Sequence, residues 1–301
     1  MMRSFRDVLQ AAQQGRPSRI AVAVAEDEDV LLALAEAYRH GLAQAALVGD
    51  RDKIKAAAGR AGIELSGFDI VHEPDAKAAA RQAVALVSSG QAQLVMKGLI
   101  STADILRAVL DKEIGLRTGR VLSHVAVMEI DGYDRLMLLT DAAMNIAPDV
   151  NQKAQIVQNA VIVAKALGIK QPKVAPLAAV EVVNPDMPAT LDAAILAKMA
   201  DRGQIKGCVI DGPLALDNAV SLEAARHKGI VSPVAGMADI LLAPNIETGN
   251  ALYKSVVYFA KAQIGGIIAG AKAPVILTSR ADSPQAKLNS IALGVIVSQL
   301  G

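Results

Sequence analysis

Tryptophan is absent from this 301-residue chain, phenylalanine occurs three times and tyrosine four times. So few rings leave little on which nucleobases could stack. There is no surplus of positive charge either: 31 Lys and Arg stand against 30 Asp and Glu, a formal net charge of +1, and no segment concentrates basic with aromatic residues. A nucleic-acid partner is therefore not expected. The single cysteine, Cys208, rules out an internal disulfide and a cysteine cluster for zinc or iron–sulfur. The histidines His40, His72, His124 and His227 are scattered, with no i,i+4 pair, so no metal site is expected. No run approaches eighteen uninterrupted apolar residues, and Met1–Asp7 lacks the apolar core of a signal peptide. The expectation is a cytoplasmic chain that makes no membrane contact.

Several catalytic signatures are also missing. No Gly-x-x-x-x-Gly-Lys-Ser/Thr loop occurs, and no Gly-x-Gly-x-x-Gly follows the first strand, so neither a Walker nor a Rossmann nucleotide site is supported. No Gly-x-Ser-x-Gly elbow occurs. Cys208, inside Ile205–Ile210, reads as a small core thiol rather than a nucleophile. The acidic run Glu26–Asp29 follows a strand and opens a helix, where negative charge suits the helix dipole, and reads as a solvated cap.

What the chain does have is Ala, Val, Leu and Ile, which carry most of its 52% hydrophobic content, as parallel strands covered by helices require. Short β-branched runs alternate with longer helical patterns from end to end, which predicts an α/β fold with mostly parallel sheets. Strands are expected at Ile20–Ala25, Ala45–Val48, Phe68–His72, Leu94–Met96, His124–Ile130 and Arg135–Leu139, the last two joined as a hairpin through Asp131-Gly132. Further strands are expected at Lys173–Val180, Lys206–Ile210, Ala238–Leu242 and Ala273–Leu277. The Gly-rich Ile264–Gly270 reads as a crossing back, and Pro284–Leu300 as a terminal helix docking on the first domain. Two domains follow: residues 1–140 with 270–301, and residues 141–269.

In such folds ligands bind at the carboxyl ends of strands, where the next helix offers unpaired N–H groups to anions. Five strand mouths carry polar residues. Leu277–Asp282 packs Thr278, Ser279, Arg280 and Asp282 together, either as an anion site or as a helix cap with a solvated arginine. Met96–Arg107 places Lys97-Gly98 before a helix started by Ser101 or Thr102, with Asp104 and Arg107 on one face; it suits an anion, or only a surface ion pair. The other three mouths hold Asp141 and Asn145, then Asp211, Gly212 and Pro213, then Asn245, Gly249 and Asn250. Singly, each also fits ordinary turn and cap chemistry.

Taken together, Val95–Leu99, Gly115–Gly119, Leu122–Ala126, Lys173–Pro176, Gly203–Val209, Asp211–Asp217, Pro244–Asn250 and Leu277–Asp282 resemble the phosphate acetyltransferase/phosphate butyryltransferase family, most closely its butyryltransferase branch. The resemblance implies reversible acyl transfer between coenzyme A and inorganic phosphate. It also implies two α/β domains shaped like the isocitrate/isopropylmalate dehydrogenases, a site in an interdomain cleft, and a homodimer or larger homo-oligomer. The partners are small molecules (acyl-CoA, phosphate, acyl phosphate), and no tightly bound cofactor is implied, coenzyme A thioester being a substrate. By similarity Arg280 and Arg107 clamp phosphate, with Lys97 and Thr102 beside them, Ser279 donates to the oxyanion, and Asp141, Asn145, Asp211, Gly212, Pro213, Asn245, Gly249 and Asn250 line the coenzyme A side. One position departs from the family. The acetyltransferase branch has an aspartate six residues beyond the Ser-Arg arginine; Ala286 stands there, followed by Lys287, which leaves Asp282, the phosphate or a water to manage the thiol proton. A metal-dependent 2-hydroxyacid dehydrogenase or a non-catalytic binder of coenzyme A or phosphate would share the fold.

Overall fold

The computed structural model describes residues 1–279 and 281–300. The chain divides into two compact α/β units, one of Phe5–Arg120 with the segment from Gly265 onward, the other of Val121–Ile264 with Met1–Ser4.

The first unit contains α1 (Phe5–Gln14), β1 (Ser18–Ala23), α2 (Glu28–Arg39), β2 (Ala43–Gly49), α3 (Arg51–Ala61), β3 (Phe68–His72), α4 (Ala76–Ser88), β4 (Leu94–Lys97) and α5 (Thr102–Val109). The second runs through β5 (Ser123–Glu129), β6 (Met137–Thr140), α6 (Val150–Ala166), β7 (Lys173–Pro176), α7 (Pro188–Asp201), β8 (Val209–Ile210), α8 (Leu216–Val220), α9 (Leu222–His227), β9 (Ile240–Leu242) and α10 (Ile246–Tyr258). The chain then completes the first unit with most of β10 (Gln263–Ala269), β11 (Val275–Ile276) and α11 (Pro284–Ser298).

Strand order in the first unit is β3-β2-β1-β4-β11-β10, parallel except where β10 meets β11. In the second it is β5-β6-β9-β7-β8, antiparallel at the expected β5–β6 hairpin and parallel elsewhere. The central strands β1, β2 and β4 are almost wholly buried, whereas the edge strand β3 is half-exposed. This is the pattern of a sheet covered on both faces, and it is why the central strands read as unbroken apolar runs.

Side-chain caps set the helix starts. Asp27, Asp50, Asp75, Ser101, Asp149, Asn245 and Ser283 each accept a backbone N–H from the first turn that follows. Asp149 and Gln152 form a reciprocal capping box. The acidic run is the cap it was expected to be, with Asp27 accepting from Val30 N at 3.0 Å. The last helix is buried continuously from Ala286 to Ile296 and packs against α1, α2, β4 and β11. Its buried face is mostly apolar, as a helix enclosed by its own unit requires, but it takes in Lys287, Asn289 and Ser290 as well.

Some elements differ from the sequence expectation. The Gly-rich segment at 264–270 is a full strand, β10. Two helices were not anticipated: α1, whose Phe5, Val8 and Ala12 are buried at helical spacing, and the single-turn α8. Strands β7 and β8 are shorter than expected: β7 ends at Pro176, and β8 begins only at Val209.

Gly98 shows how tightly the β4 mouth is built. A Cβ there would lie 2.1 Å from the Val24 carbonyl oxygen, and the backbone is fixed by Gly98 N donating to Ala23 O (2.9 Å) and Leu99 N to Val24 O (2.7 Å). Val24 has φ 57, a left-handed conformation costly for a β-branched residue. Gly98→Ala should destabilise the protein by about 2 kcal/mol or more, since the obstacle is backbone and cannot rotate away. A lowered urea midpoint would show it, and an unchanged midpoint would mean that the loop yields.

Candidate active site

Parallel register brings three strand mouths of the first unit side by side. Ala23 pairs with Lys97, and Ile276 with Met96, so β1, β4 and β11 leave the sheet at the same level on neighbouring tracks. Adjacent strands run about 4.8 Å apart, so the Lys97–Ser101 loop and the Leu277–Asp282 turn are neighbours. Lys97 is buried at the end of β4, its Nζ 3.4 Å from Gly98 O. Ser101, not Thr102, caps α5, its Oγ accepting from Asp104 N at 3.1 Å. Thr102 stands exposed in the first turn. The Ser101 hydroxyl also donates to Asp104 Oδ2 (2.7 Å), and Arg107 Nη1 donates to Asp104 Oδ1 (2.5 Å). The Ser101 hydroxyl, then the Arg107 guanidinium, hold the Asp104 carboxyl below the usual carboxylate range. Asp104 thus stays ionised through the neutral range, its charge lost only as the pH falls below the usual carboxylate range. Arg107 is 69% exposed, and its surface pair with Asp104 leaves most of the guanidinium facing solvent.

At the β11 mouth the chain forms a closed turn. Asp282 Oδ2 accepts from Ser279 N (2.7 Å), Asp282 N donates to Ser279 O (3.2 Å), and Ser279 Oγ accepts from Ala281 N (3.2 Å). The cap of α11 is Ser283, through Ala286 N at 3.2 Å. Asp282 is therefore not the helix cap; its carboxylate fixes the backbone of Ser279. Arg280, expected to bind phosphate, lies outside the described residues.

In the second unit the structure joins two of the expected mouths. Asp141, 3% exposed, accepts from Ala143 N (2.8 Å), Met144 N (3.0 Å), Asn145 N (3.2 Å) and Asn145 Nδ2 (2.6 Å). Asn145 also donates to Leu122 O, and Asn250 Nδ2 to Ala142 O at 3.1 Å. Gly249 lets α10 press onto this loop, since a Cβ there would sit 2.3 Å from Asp141 O. Asn245 caps α10. Asp141 organises a loop with every oxygen engaged. The third mouth is separate: Asp211, Gly212 and Pro213 follow β8, with Asp211 N bonded to Val174 O and Leu214 N to Pro176 O, both at 3.3 Å.

Two features of the site had no signal in the sequence. Lys287, 2% exposed, brings its Nζ 2.5 Å from Asp282 O and 3.6 Å from Asp29 Oδ2. At the carboxyl ends of β7 and β9, a small cavity lined by Pro176, Leu177, Leu242 and Ala243 has on its wall the buried Lys153 paired with the partly exposed Asp192 (2.6 Å). Either lysine reads in sequence as an ordinary helix-face residue. Among the described residues no group of three or more His, Cys, Asp or Glu is arranged to hold a metal ion, and no helix is long and apolar enough to cross a membrane.

The architecture is that of the phosphotransacylases. A solved branched-chain phosphotransacylase from Enterococcus faecalis V583 matches with a TM-score of 0.84 at 37% identity, covering 93% of this chain and 99% of that one. In sequence, the phosphate butyryltransferase of Clostridium acetobutylicum is 56% identical over 99% of both chains, and the phosphate acetyltransferase of Thermotoga maritima is 45% identical over 97% of this chain and 99% of its own. The phosphate acetyl/butaryl transferase family model matches residues 4–81 and 76–295, and the chain belongs to that family.

Cys208 is half-buried just before β8, rather than a core thiol as expected, and burial pushes its thiol up to about 11. At pH 8 its thiolate fraction falls roughly two hundredfold below that of an ordinary cysteine near pKa 8.5. Alkylation by iodoacetamide at pH 8 should therefore be slower by about that factor than for a free thiol. Rapid labelling at pH 8 would show an activated cysteine instead.

Proposed function

We propose that this chain reversibly transfers a short-chain acyl group, butanoyl, between acyl-CoA and inorganic phosphate, giving acyl phosphate and coenzyme A by direct attack in a ternary complex. The observation that carries the proposal is the adjacency of the β4 and β11 mouths. It sets the Lys97–Arg107 segment beside the Ser279 turn, as a reaction between an anion and a carbonyl requires. A phosphate oxygen attacks the thioester carbon, the C–S bond breaks, and the electron pair leaves on sulfur as thiolate. Arg107 and Arg280 clamp the phosphate by bidentate hydrogen bonding, with Lys97 and Thr102 beside them. The exposed Asp104–Arg107 pair is weak because solvent screens it, so Asp104 aims the guanidinium without withholding it from a dianion. The Ser279 hydroxyl donates to the tetrahedral oxyanion.

In the other unit, Asp141 and Asn145 shape the loop on the coenzyme A side through their hydrogen bonds. Asn245, Gly249, Asn250 and the Asp211-Gly212-Pro213 loop supply the rest of that surface. No bound metal or redox group takes part. The butanoyl assignment rests on the higher identity to a phosphate butyryltransferase (56%) than to the phosphate acetyltransferase of Thermotoga maritima (45%). Acetyl transfer is the second reading. A homo-oligomer belongs to the proposal, supported by the exposed Tyr258 and Phe259 at the end of α10. So does a cytoplasmic location, where coenzyme A thioesters are held.

Release of free thiol from butyryl-CoA on adding phosphate tests the proposal directly. Butyryl-CoA should give a higher kcat/KM than acetyl-CoA; the reverse order would select the second reading, and no thiol release with either would end both. Arg107→Ala should raise the KM for phosphate by about tenfold or more, the loss of one charge-assisted bidentate contact, while the KM for butyryl-CoA stays near wild type. A phosphate KM that does not move would reduce Arg107 to a surface ion pair.

For Asp282 the structure supplies a discriminating substitution. Asparagine keeps an oxygen to accept Ser279 N–H, whereas alanine does not. Asp282→Asn should retain turnover within a few-fold, and Asp282→Ala should lose about tenfold or more through a displaced Ser279. The thiol, near pKa 8.5, needs no dedicated acid. A pH-dependent loss of about a hundredfold in Asp282→Asn would instead assign the carboxylate to proton transfer.

A further inference from the structure

A lysine at 2% exposure is rare in a folded protein, and Lys287 occupies the fourth position of α11, where the helix dipole opposes a cation. Desolvation and the dipole both disfavour it there, so compensating interactions must hold it. Two are present. Nζ donates to the main-chain oxygen of Asp282 at 2.5 Å, and the carboxylate of Asp29, in the first turn of α2, stands 3.6 Å away. Asp29 is half-exposed, so the carbonyl contact is the close, buried one.

That carbonyl is one end of the turn at the β11 mouth. The carboxylate of the same Asp282 holds Ser279 N–H, and its own N–H returns to Ser279 O. The turn is thus closed by its own hydrogen bonds on the solvent side and fastened from the interior by an ammonium. Nothing else among its described bonds ties Asp282 to another helix. Asp29 and Lys287 lie on two helices that pack together, so the fastening refers the turn to the most deeply buried part of the unit.

We propose that Lys287 is a positioning residue for acyl transfer: through the Asp282 carbonyl it sets the location of the Ser279 backbone and hydroxyl. This rests on the role given to Ser279 under the proposed function. Lys287 does not touch the reacting atoms.

The test compares Lys287→Met, which keeps the volume and stem but removes the donor, with Lys287→Gln, which restores a neutral donor. Two readouts are taken: steady-state kinetics, and deuterium uptake by the peptide spanning Ser279–Asp282. Lys287→Met should lower kcat by about tenfold or more with the KM for butyryl-CoA within twofold, the signature of misplacement rather than lost binding. It should also speed exchange in that peptide by more than in the rest of the first unit, since the Asp282 carbonyl loses its donor. Lys287→Gln should recover part of kcat and of the protection. A role in stability alone would lower the melting temperature while leaving kcat at 25 °C and local exchange untouched. That result, or wild-type kcat and exchange in Lys287→Met, would overturn the proposal. If the unmodified protein releases no thiol from butyryl-CoA, the acyl-transfer reading fails, and the exchange measurement still decides whether Lys287 fastens the turn.

Discussion

Parallel pairing of β11 with β4 is the constraint on which the first unit's site depends. β11 is two residues long, yet Val275 aligned with Val95 and Ile276 with Met96 suffice to bring a segment from the far end of the chain next to the Lys97 loop. Two pairs of strand residues could not hold such a return alone. The buried stretch of α11 supplies the rest: Gly294 approaches Leu94 so closely that a Cβ would lie 2.6 Å from a leucine methyl, and Gly265 gives the same closeness against Asn289. The short strand is the visible register of a helix docked along its whole length.

Given that register, the chemistry of the mouths follows from backbone geometry. α5 and α11 both begin with serine caps, leaving first-turn N–H groups and the positive end of each dipole near the ends of adjacent strands. Arg107 lies in the last turn of α5, where a cation is favoured, and Asp104 one turn earlier gives its guanidinium a direction. The price is the left-handed backbone at Val24, one mouth away, held by the hydrogen bond from Leu99. Strain collected beside a ligand site, and secured by an unyielding neighbour such as Gly98, is characteristic of a preorganised pocket.

Much of this was legible in the sequence, and the reasons are local. Strand cores such as Ala45–Val48 and Leu94–Met96 read correctly because both-face burial leaves unbroken apolar runs, and helix starts such as those at Glu26–Asp29 and at Ser101 were legible because Asp and Ser caps act within four residues. The Asp131-Gly132 hairpin was legible for the same reason. What escaped depends on contacts between distant parts of the chain. Asp141 looked like a ligand-facing carboxylate, but it turns inward to four N–H donors. Sequence left the last helix cap open between Asp282 and Ser283; Ser283 takes it, and the Asp282 carboxylate goes back to Ser279. β10 was obscured by glycines that are there because Phe5 and Asn289 press on the backbone. The burial of Lys287 and Lys153 leaves no trace in periodicity, since a lysine on a helix looks the same whether it meets water or a carbonyl.

The hydrogen bonds also bear on whether the acyl group ever joins the protein. For Ser279 to attack a thioester, a base would have to receive its hydroxyl proton, but the carboxylate of Asp282 is directed at the Ser279 amide, and the hydroxyl oxygen is engaged by Ala281 N. In the proposed reaction Ser279 is therefore a donor and not a nucleophile. Cys208 is the other candidate, and burial raises its thiol to about 11, the wrong direction for an acyl carrier. Direct attack by phosphate then needs only a fixed donor and a held anion. Position 286, where the acetyltransferase branch carries its aspartate, is here a buried alanine whose amide is bound to Ser283. A carboxylate there would face an apolar interior with the ammonium of Lys287 next in sequence. The chain instead places the Lys287 ammonium against the Asp282 carbonyl beneath the turn, a charge that in the proposed reaction would favour the dianion.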